Sequence, residues 1–257
     1  MCEAFSCIVD KKAKVYWKLG LDNHSDIFSK FKLKEPVDMP IPPTNKWLKN
    51  NLGWAKIEIN PKDKDYLEYL DKPNKYWKFK VDENIKPEWL SKKHEKECFD
   101  CLDIWKEKVL KGINLKEARN PIRPFKIKPP KITQKHIDLL KNWDSVGDSV
   151  GDSVWDSVWN SVRNSVWDSV WDSVRDSVWD SVRDSVRDSV GGYYGSLFTN
   201  INKWEYVDRR KKCFRGLNYP FQSVIDLWKQ GLVPSYDGEK WRLHGGKNAK
   251  VLWEGKI

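Results

Sequence analysis

Residues 144–191 read DSVGDSVGDSVWDSVWNSVRNSVWDSVWDSVRDSVWDSVRDSVRDSVG, and this stretch decides how the rest of the chain is organised. It holds 12 copies of a four-residue unit: Asp or Asn, then Ser, then Val, then Gly, Trp or Arg. A fixed period of this kind is typical of a repeat architecture, in which each copy buries its apolar residue against its neighbours. We therefore expect a separate repeat segment from Asp144 to Gly191.

A β-solenoid is the architecture that the four-residue period favours. In an α-helix each residue turns ~100°, so a Val at every fourth position drifts ~40° per copy and forms no straight apolar stripe. Val, Ser, Asp, Trp and Gly are also poor helix formers. In a solenoid each copy would form one short side with its Val in a thin core. A long helix is the alternative, because the helical segment Thr133–Trp143 runs directly into the repeat.

The variable fourth positions sort into columns when three copies are placed on each turn. We then expect a triangular solenoid with a Trp column on one side and an Arg column on another. Aromatic rings beside guanidinium groups can bind planar ligands or stack on bases, whereas in ordinary packing the rings would cover one another. Duplication of a twelve-residue unit would leave the same pattern without this fold. The candidate binding residues are Trp155, Trp159, Trp167, Trp171, Trp179, Arg163, Arg175 and Arg187.

Residues 1–120 have the pattern of a compact α+β domain. Apolar or alternating segments predict four strands, and Ser25 is placed to cap a short helix. A longer helix is expected from Pro87 to Lys111, because Pro stands near its start and Gly112 lies just past its end. The predicted strands are Phe5–Val9, Lys14–Leu19, Trp54–Ile59 and Tyr76–Val81.

The remaining segments connect and close the repeat. Residues 121–143 form a Pro-rich connector and a short helix capped by Thr133. Residues 192–257 are expected to form a small C-terminal cap, since the ends of a solenoid need covering. This cap contains a basic run at Arg209–Lys212, a helix at Phe221–Gln230 and a β-hairpin with turns at Asp237-Gly238 and Gly245-Gly246. Together these segments predict an α+β and mostly β chain.

The C-terminal half also resembles a group of uncharacterised bacterial and phage proteins with tandem (Asp/Ala)-Ser-Val-x repeats. The features that carry the resemblance are the repeat, the Gly/Tyr-rich break at Gly192–Phe198, and a closing segment with Asp237, Gly238, Trp241, Leu243, His244 and Gly246. The group has no known activity, so the resemblance implies a bacterial or phage setting and no reaction.

The metal-like cluster of the sequence is His94, Cys98 and Cys101. Two thiolates and an imidazole could supply three of the four ligands of a tetrahedral zinc ion. These residues also lie on the apolar face of the predicted long helix, where buried free cysteines are common. A second Cys-x-x-Cys pair is absent from the sequence, so core packing is the favoured interpretation and no cofactor is expected.

One enzymatic hypothesis rests on Cys2. Removal of Met1 would place the α-amine beside the thiol, as in N-terminal-nucleophile hydrolases. Class II glutamine amidotransferases also begin with Met-Cys, but the Gly-Ile that follows in them is Glu-Ala here. His24, His136 and His244 have no Ser, Cys or Asp partner at a recognisable spacing. Catalysis is therefore the weaker interpretation.

Composition narrows the range of functions. The 257 residues carry a net charge of +10, but the repeat holds 10 Asp and 4 Arg and so contributes −6. The chain is thus an acidic repeat between two basic segments that could neutralise it, so the total charge permits a nucleic-acid partner without arguing for one. No long apolar run or signal peptide is visible, and five cysteines suit reduced thiols in a bacterial cytoplasm.

From these features we expect a non-enzymatic binding or scaffold protein that uses the repeat as a rigid interaction surface. A protein partner or self-association is the expected mode, and no membrane contact is expected. Nucleic-acid or nucleotide binding through the basic flanks and the Trp/Arg face is one alternative. A hydrolase that uses Cys2 is the other.

Overall fold

The computed structural model describes residues 5–35, 53–63, 66–82, 86–147, 150, 154, 187–199, 201, 204 and 219–257. These residues form two compact units, one up to Leu110 and one from Lys111 onward. Both units combine helices with an antiparallel sheet, so the expectation of an α+β chain is confirmed. The expectation of a mostly β chain is wrong for the described residues, because their helices hold more residues than their strands. Among the helices of the described residues, none has the length and the apolar character needed to cross a membrane.

The first unit is built on a four-stranded antiparallel sheet of order β2-β1-β3-β4. Its strands are β1 (Phe5–Asp10), β2 (Val15–Tyr16), β3 (Trp54–Pro61) and β4 (Trp77–Val81). All four strands were predicted, although β2 covers only two residues of the predicted Lys14–Leu19. After β2 the chain turns away, with a Leu21 N–H to Lys18 O bond of 3.0 Å and Gly20 at φ 82°.

Helices cover both faces of this sheet. Alternation along β3 buries Ala55, Ile57 and Ile59 on one face. Helix α3 (Lys92–Lys111) packs there, and its Trp105 ring lies 5.9 Å from the ring of Phe5. On the other face, helix α1 (His24–Lys30) buries Ile27 and Phe28 against Ile8. A short helix, α2 (Tyr66–Tyr69), and a 3-10 turn (Asn74–Tyr76) connect β3 to β4.

Two predicted helix starts in this unit are wrong by a few residues. Asn23, not Ser25, caps α1, because its side chain accepts the Asp26 N–H at 2.7 Å. Helix α3 begins at Lys92 rather than Pro87, since the segment from Pro87 to Leu90 forms a turn closed by a Leu90 N–H to Pro87 O bond of 3.0 Å.

The second unit brings the two ends of the repeat together. Helix α5 (Gln134–Gly147) contains the first copy, and helix α6 (Arg187–Gly195) contains the last. Val150 and Val154 are helical as well. The predicted short β-segments are therefore wrong for these copies, where the helical alternative holds. The copies between residues 155 and 186 lie outside the described residues.

The valine is buried in each copy in which it is described. Val146, Val150, Val154 and Val190 expose 4% or less of their surface, whereas Asp144 and Asp188 are exposed. The expectation that Val points into a core is confirmed for these copies, although the copies are helical. The third position of the unit is therefore apolar because it is buried, and the first position carries a carboxylate because it is exposed to water.

Glycines in α6 let the helices of this unit approach closely. A Cβ on Gly191 would lie 3.2 Å from Val150, and one on Gly195 would lie 3.1 Å from Val154. A Cβ on Gly192 would lie 2.9 Å from Val224 and 3.0 Å from Trp143. Val224 belongs to α7 (Gln222–Trp228), so α5, α6 and α7 meet at this glycine.

A three-stranded antiparallel sheet completes the second unit, in the order β5-β6-β7. The predicted hairpin forms β6 (Trp241–Gly245) and β7 (Lys250–Gly255), and β5 (Leu232–Tyr236) is an additional edge strand. The indole N–H of Trp241 donates to Asp144 at 2.9 Å, so the sheet contacts the first copy of the repeat. Helix α4 (Leu115–Arg119) precedes the Pro-rich connector, and a 3-10 turn (Pro124–Lys126) lies within it.

Candidate functional site

The binding residues predicted in the repeat lie almost entirely outside the described residues. This applies to Trp155, Trp159, Trp167, Trp171, Trp179, Arg163 and Arg175, and also to Cys2. Arg187 is the first residue of α6, and only its backbone is described. The Trp and Arg columns therefore stay a prediction.

His94 has a structural role at the start of α3. Its Nδ1 accepts the Ser91 N–H at 3.1 Å and lies 2.9 Å from the Ser91 hydroxyl. Its Nε2 lies 3.4 Å from the carbonyl oxygen of Lys11, to which it donates. The bond from Ser91 N–H is one of the two bonds of a capping box, with His in the place of the usual Glu or Gln. Both ring nitrogens are therefore in use, and neither faces Cys98 or Cys101 as a ligand.

The cysteines of the predicted metal cluster belong to the core of the first unit. Cys98 is fully buried and hydrogen-bonds the equally buried Cys7 of β1. Burial is the main cause that raises the pKa of the Cys7 thiol well above its usual range, and the bond to Cys98 adds to it. Cys101 is half-buried, and burial raises its pKa too. The cysteines of the predicted cluster are therefore packing groups of the first unit rather than metal ligands.

His136 and His244 each form hydrogen bonds through both ring nitrogens. His136 accepts the Thr133 N–H at Nδ1, 2.9 Å, and its Nε2 donates to Gln230 at 3.1 Å. His244 donates from Nδ1 to the Ala249 carbonyl at 3.0 Å and accepts the Ser235 hydroxyl at Nε2, 2.8 Å.

The Ser235–His244 pair has the connectivity of a nucleophile and its base, but both residues are buried, at 3% and 8% exposure. A nucleophile must reach its substrate. The pair is therefore read as satisfied packing of buried polar groups.

A different cluster joins three elements of the first unit: His24, Glu58 and Asp82. Their ligand atoms all lie within 4.8 Å of one another, and no other such group of His, Cys, Asp and Glu occurs in the described part of the chain. His24 opens α1, Glu58 lies on β3, and Asp82 follows β4 directly. The register of β3 with β4 pairs Glu58 with Lys80, which brings Asp82 to the same end of the sheet.

Burial and charge set the state of this cluster. The side chain of His24 is 9% exposed and that of Glu58 is 12% exposed, whereas that of Asp82 is 42% exposed. Burial lowers the pKa of His24, and the carboxylates of Asp82 and Glu58 act in the opposite direction. The Lys80 ammonium lies 3.1 Å from Glu58 and 3.7 Å from Asp82. The cluster offers one imidazole nitrogen and two carboxylates, a set of cation ligands without a nucleophile.

Comparison with known proteins gives no further guide to this cluster or to the repeat. No protein-family model, no curated protein and no solved structure matches the chain. The sequence did not indicate the cluster, because its three residues are far apart along the chain. The one signal was the alternation in β3, which places Glu58 on the polar side of the strand.

Proposed function

We propose that the protein is a non-enzymatic binding or scaffold protein that presents the tetrapeptide repeat from a fixed base. The observation that carries the proposal is the packing of the repeat ends. Gly191 contacts Val150, Gly195 contacts Val154, and the first copy accepts a hydrogen bond from Trp241. A segment fixed at both ends loses less conformational entropy on binding than a segment that is free at one end.

The composition of the unit supports the same interpretation. Its third position is buried Val in the described copies, while its fourth position changes among Gly, Trp and Arg. A constant core position with a changing neighbour is the pattern of repeat proteins that vary a binding surface on a constant scaffold. Trp and Arg are also the residue types enriched at the energetic centres of protein interfaces.

Two arrangements of the middle copies are compatible with this function. In the triangular solenoid, the fourth positions form a Trp column and an Arg column. In helical copies like those at both ends, the same residues would line crossing helices. Far-UV circular dichroism of the full chain distinguishes the two, since helical copies at residues 155–186 add strongly to the signal at 222 nm. The resemblance to bacterial and phage proteins supports a bacterial or phage setting.

The test uses two matched variants of the full chain. In one, Trp155, Trp167 and Trp179 become Gly, and in the other Arg163, Arg175 and Arg187 become Gly. Gly is native at the fourth position of three copies and adds no charge. Each variant is compared with the native chain by sedimentation velocity and by capture from a bacterial lysate, with and without nuclease.

We expect self-association or a nuclease-resistant protein partner that the Trp variant loses and the Arg variant keeps. A captured nucleic acid that the Arg variant loses, with affinity falling steeply as salt rises, would replace this proposal by the nucleic-acid alternative. A native chain that stays monomeric and captures nothing would overturn both. Turnover that depends on Cys2 and needs removal of Met1, seen by intact mass, would favour the hydrolase.

A further inference from the structure

We propose that His24, Glu58 and Asp82 form a binding site for a divalent transition-metal cation of the Zn²⁺ type. This inference is independent of the repeat, because all three residues belong to the first unit. It rests on the direction of the hydrogen bonds, on the spacing of the donor atoms and on the position of Lys80.

The hydrogen bonds of His24 point to a cation. Its Nε2 lies 3.2 Å from the carbonyl oxygen of Ile57, which can only accept, so Nε2 carries the proton and donates. Nδ1 is then the ring nitrogen that faces Asp82 Oδ2, 3.5 Å away. Both atoms can ligate a metal, so a cation placed between them would bind both. A ring N–H held by a backbone carbonyl is also the usual outer contact of a metal-ligating His.

The spacing suits a small metal ion. Two ligands bound at about 2.0–2.1 Å around a tetrahedral centre lie about 3.3 Å apart. The Nδ1 to Oδ2 distance of 3.5 Å is close to that value, and one ligand atom from each of the three residues lies within 4.8 Å of the other two. One nitrogen with two carboxylate oxygens fits Zn²⁺ and related transition metals, whereas Mg²⁺ and Ca²⁺ take oxygen ligands.

Lys80 is the cation that a metal ion would replace. Its ammonium balances Glu58 and Asp82, but its side chain is 52% exposed and ends a flexible stem. It can therefore move into solvent when a doubly charged ion binds. The exposed side of the cluster, at Asp82, gives the ion a path from water.

The test titrates the metal-free full chain with Zn²⁺ by isothermal calorimetry. The binding variants are His24→Gln, which keeps an N–H donor for Ile57, and Asp82→Asn. Glu68→Gln is the matched control, because Glu68 is an exposed carboxylate paired with Lys72 in the same unit. We expect one site whose affinity falls at least tenfold in each binding variant and is unchanged in the control. Lys80→Met should bind Zn²⁺ more tightly than the native chain.

A second measurement does not depend on the folding of any variant. Long-range ¹H–¹⁵N spectra of the native chain resolve the ring nitrogens of its four His residues. Zn²⁺ should move the signals of His24 and leave those of the other three in place. Absence of Zn²⁺ binding, or binding that spares His24 or persists unchanged in His24→Gln, would overturn the proposal. A Lys80→Met chain with native or weaker affinity would overturn the replacement of Lys80.

Discussion

Gly192 lies where three helices of the second unit meet, and its substitution by Ala should destabilise the fold. The added Cβ would lie 2.9 Å from Val224 Cγ1, 3.0 Å from Trp143 Cη2 and 3.1 Å from Trp143 Cζ3. Val224 is fully buried and Trp143 is 2% exposed, so neither side chain has space into which it can move. The helices would have to separate to admit the methyl group.

Gly191 provides the matched comparison, because it is the adjacent residue of the same helix. Replacing Gly by Ala inside a helix gains about 1 kcal/mol of helix propensity at either position. At Gly191 the new Cβ would lie 3.2 Å from one atom, Val150 Cγ1. We expect the gain in helix propensity and the cost of this close contact to be nearly equal, so the stability should change little. At Gly192 overpacking costs about 2–3 kcal/mol, so the net loss is about 1–2 kcal/mol. In the difference between the two variants the propensity term cancels.

Urea unfolding followed by tryptophan fluorescence measures this difference. Gly192→Ala should lower the midpoint while the dependence on urea stays constant, and it should lower the melting temperature by roughly 2–8 °C for a chain of this size. Val224→Ala should cost less in the Gly192→Ala chain than in the native chain, because the shortened side chain leaves space for the new methyl group. Equal or greater stability of Gly192→Ala relative to Gly191→Ala would refute the packing of the repeat end described above.

Three further predictions concern other contacts of the two units. Trp241→Phe removes the indole donor to Asp144 and should cost about 0.5 kcal/mol in urea unfolding, whereas Asp144→Asn keeps an acceptor and should cost less. Burial lowers the pKa of His244, so the unfolded chain binds protons more readily and the free energy of unfolding should fall as pH drops through about 6.5. His244→Gln should make the free energy of unfolding less dependent on pH between pH 8 and pH 5. An unchanged pH dependence would contradict the lowered pKa of His244. Cys7 and Cys98 are fully buried, so mass spectrometry should find them unmodified by iodoacetamide at pH 8 until urea unfolds the protein, and rapid labelling of the folded chain would contradict their burial.

The sheet of the first unit could be predicted because its strands alternate. In β3 the pattern of buried and half-buried residues continues without a break from Trp54 to Pro61. Such a period sets which face is buried before any partner strand is known. The length of β2 could not be predicted in this way, because the turn at Lys18–Leu21, and not the pattern, ends it.

The helix caps could not be predicted because they depend on side-chain contacts. Strand β5 could not be predicted because it depends on position in the sheet. At the start of α3 the side chain of His94 accepts the Ser91 N–H, whereas the sequence rule looks for Glu or Gln in this role. Strand β5 contains Pro234, which argues against a strand unless the strand lies at the edge of its sheet. Its edge position follows from the strand order alone.

The cluster of His24, Glu58 and Asp82 could not be predicted from the sequence either. His24, Glu58 and Asp82 are separated by more than 20 residues in each interval. Alternation places Glu58 on the polar side of β3, but only the register of β3 with β4 and the packing of α1 bring the other two residues to it. A metal motif with short spacing can be found in sequence, as His94, Cys98 and Cys101 were, yet those residues have other partners. Spacing along the chain is therefore a poor guide to ligand sets assembled across a sheet.

The helical ends of the repeat explain why a four-residue period does not exclude helices. The drift of ~40° per copy spoils a straight stripe only when many copies follow one another in a single helix. Helix α6 has nine residues, and its glycines lie close to the helices packed against it. Val150 and Val154 are therefore buried against α6 although the valines form no straight apolar stripe. Propensity is a weak prior, and burial of these valines outweighs it. One uninterrupted helix over the 48 residues would be about 72 Å long, and its ends could not meet as Val150 and Gly191 do. The described copies at the two ends are therefore helical, and Val150 and Gly191 do not belong to one straight helix.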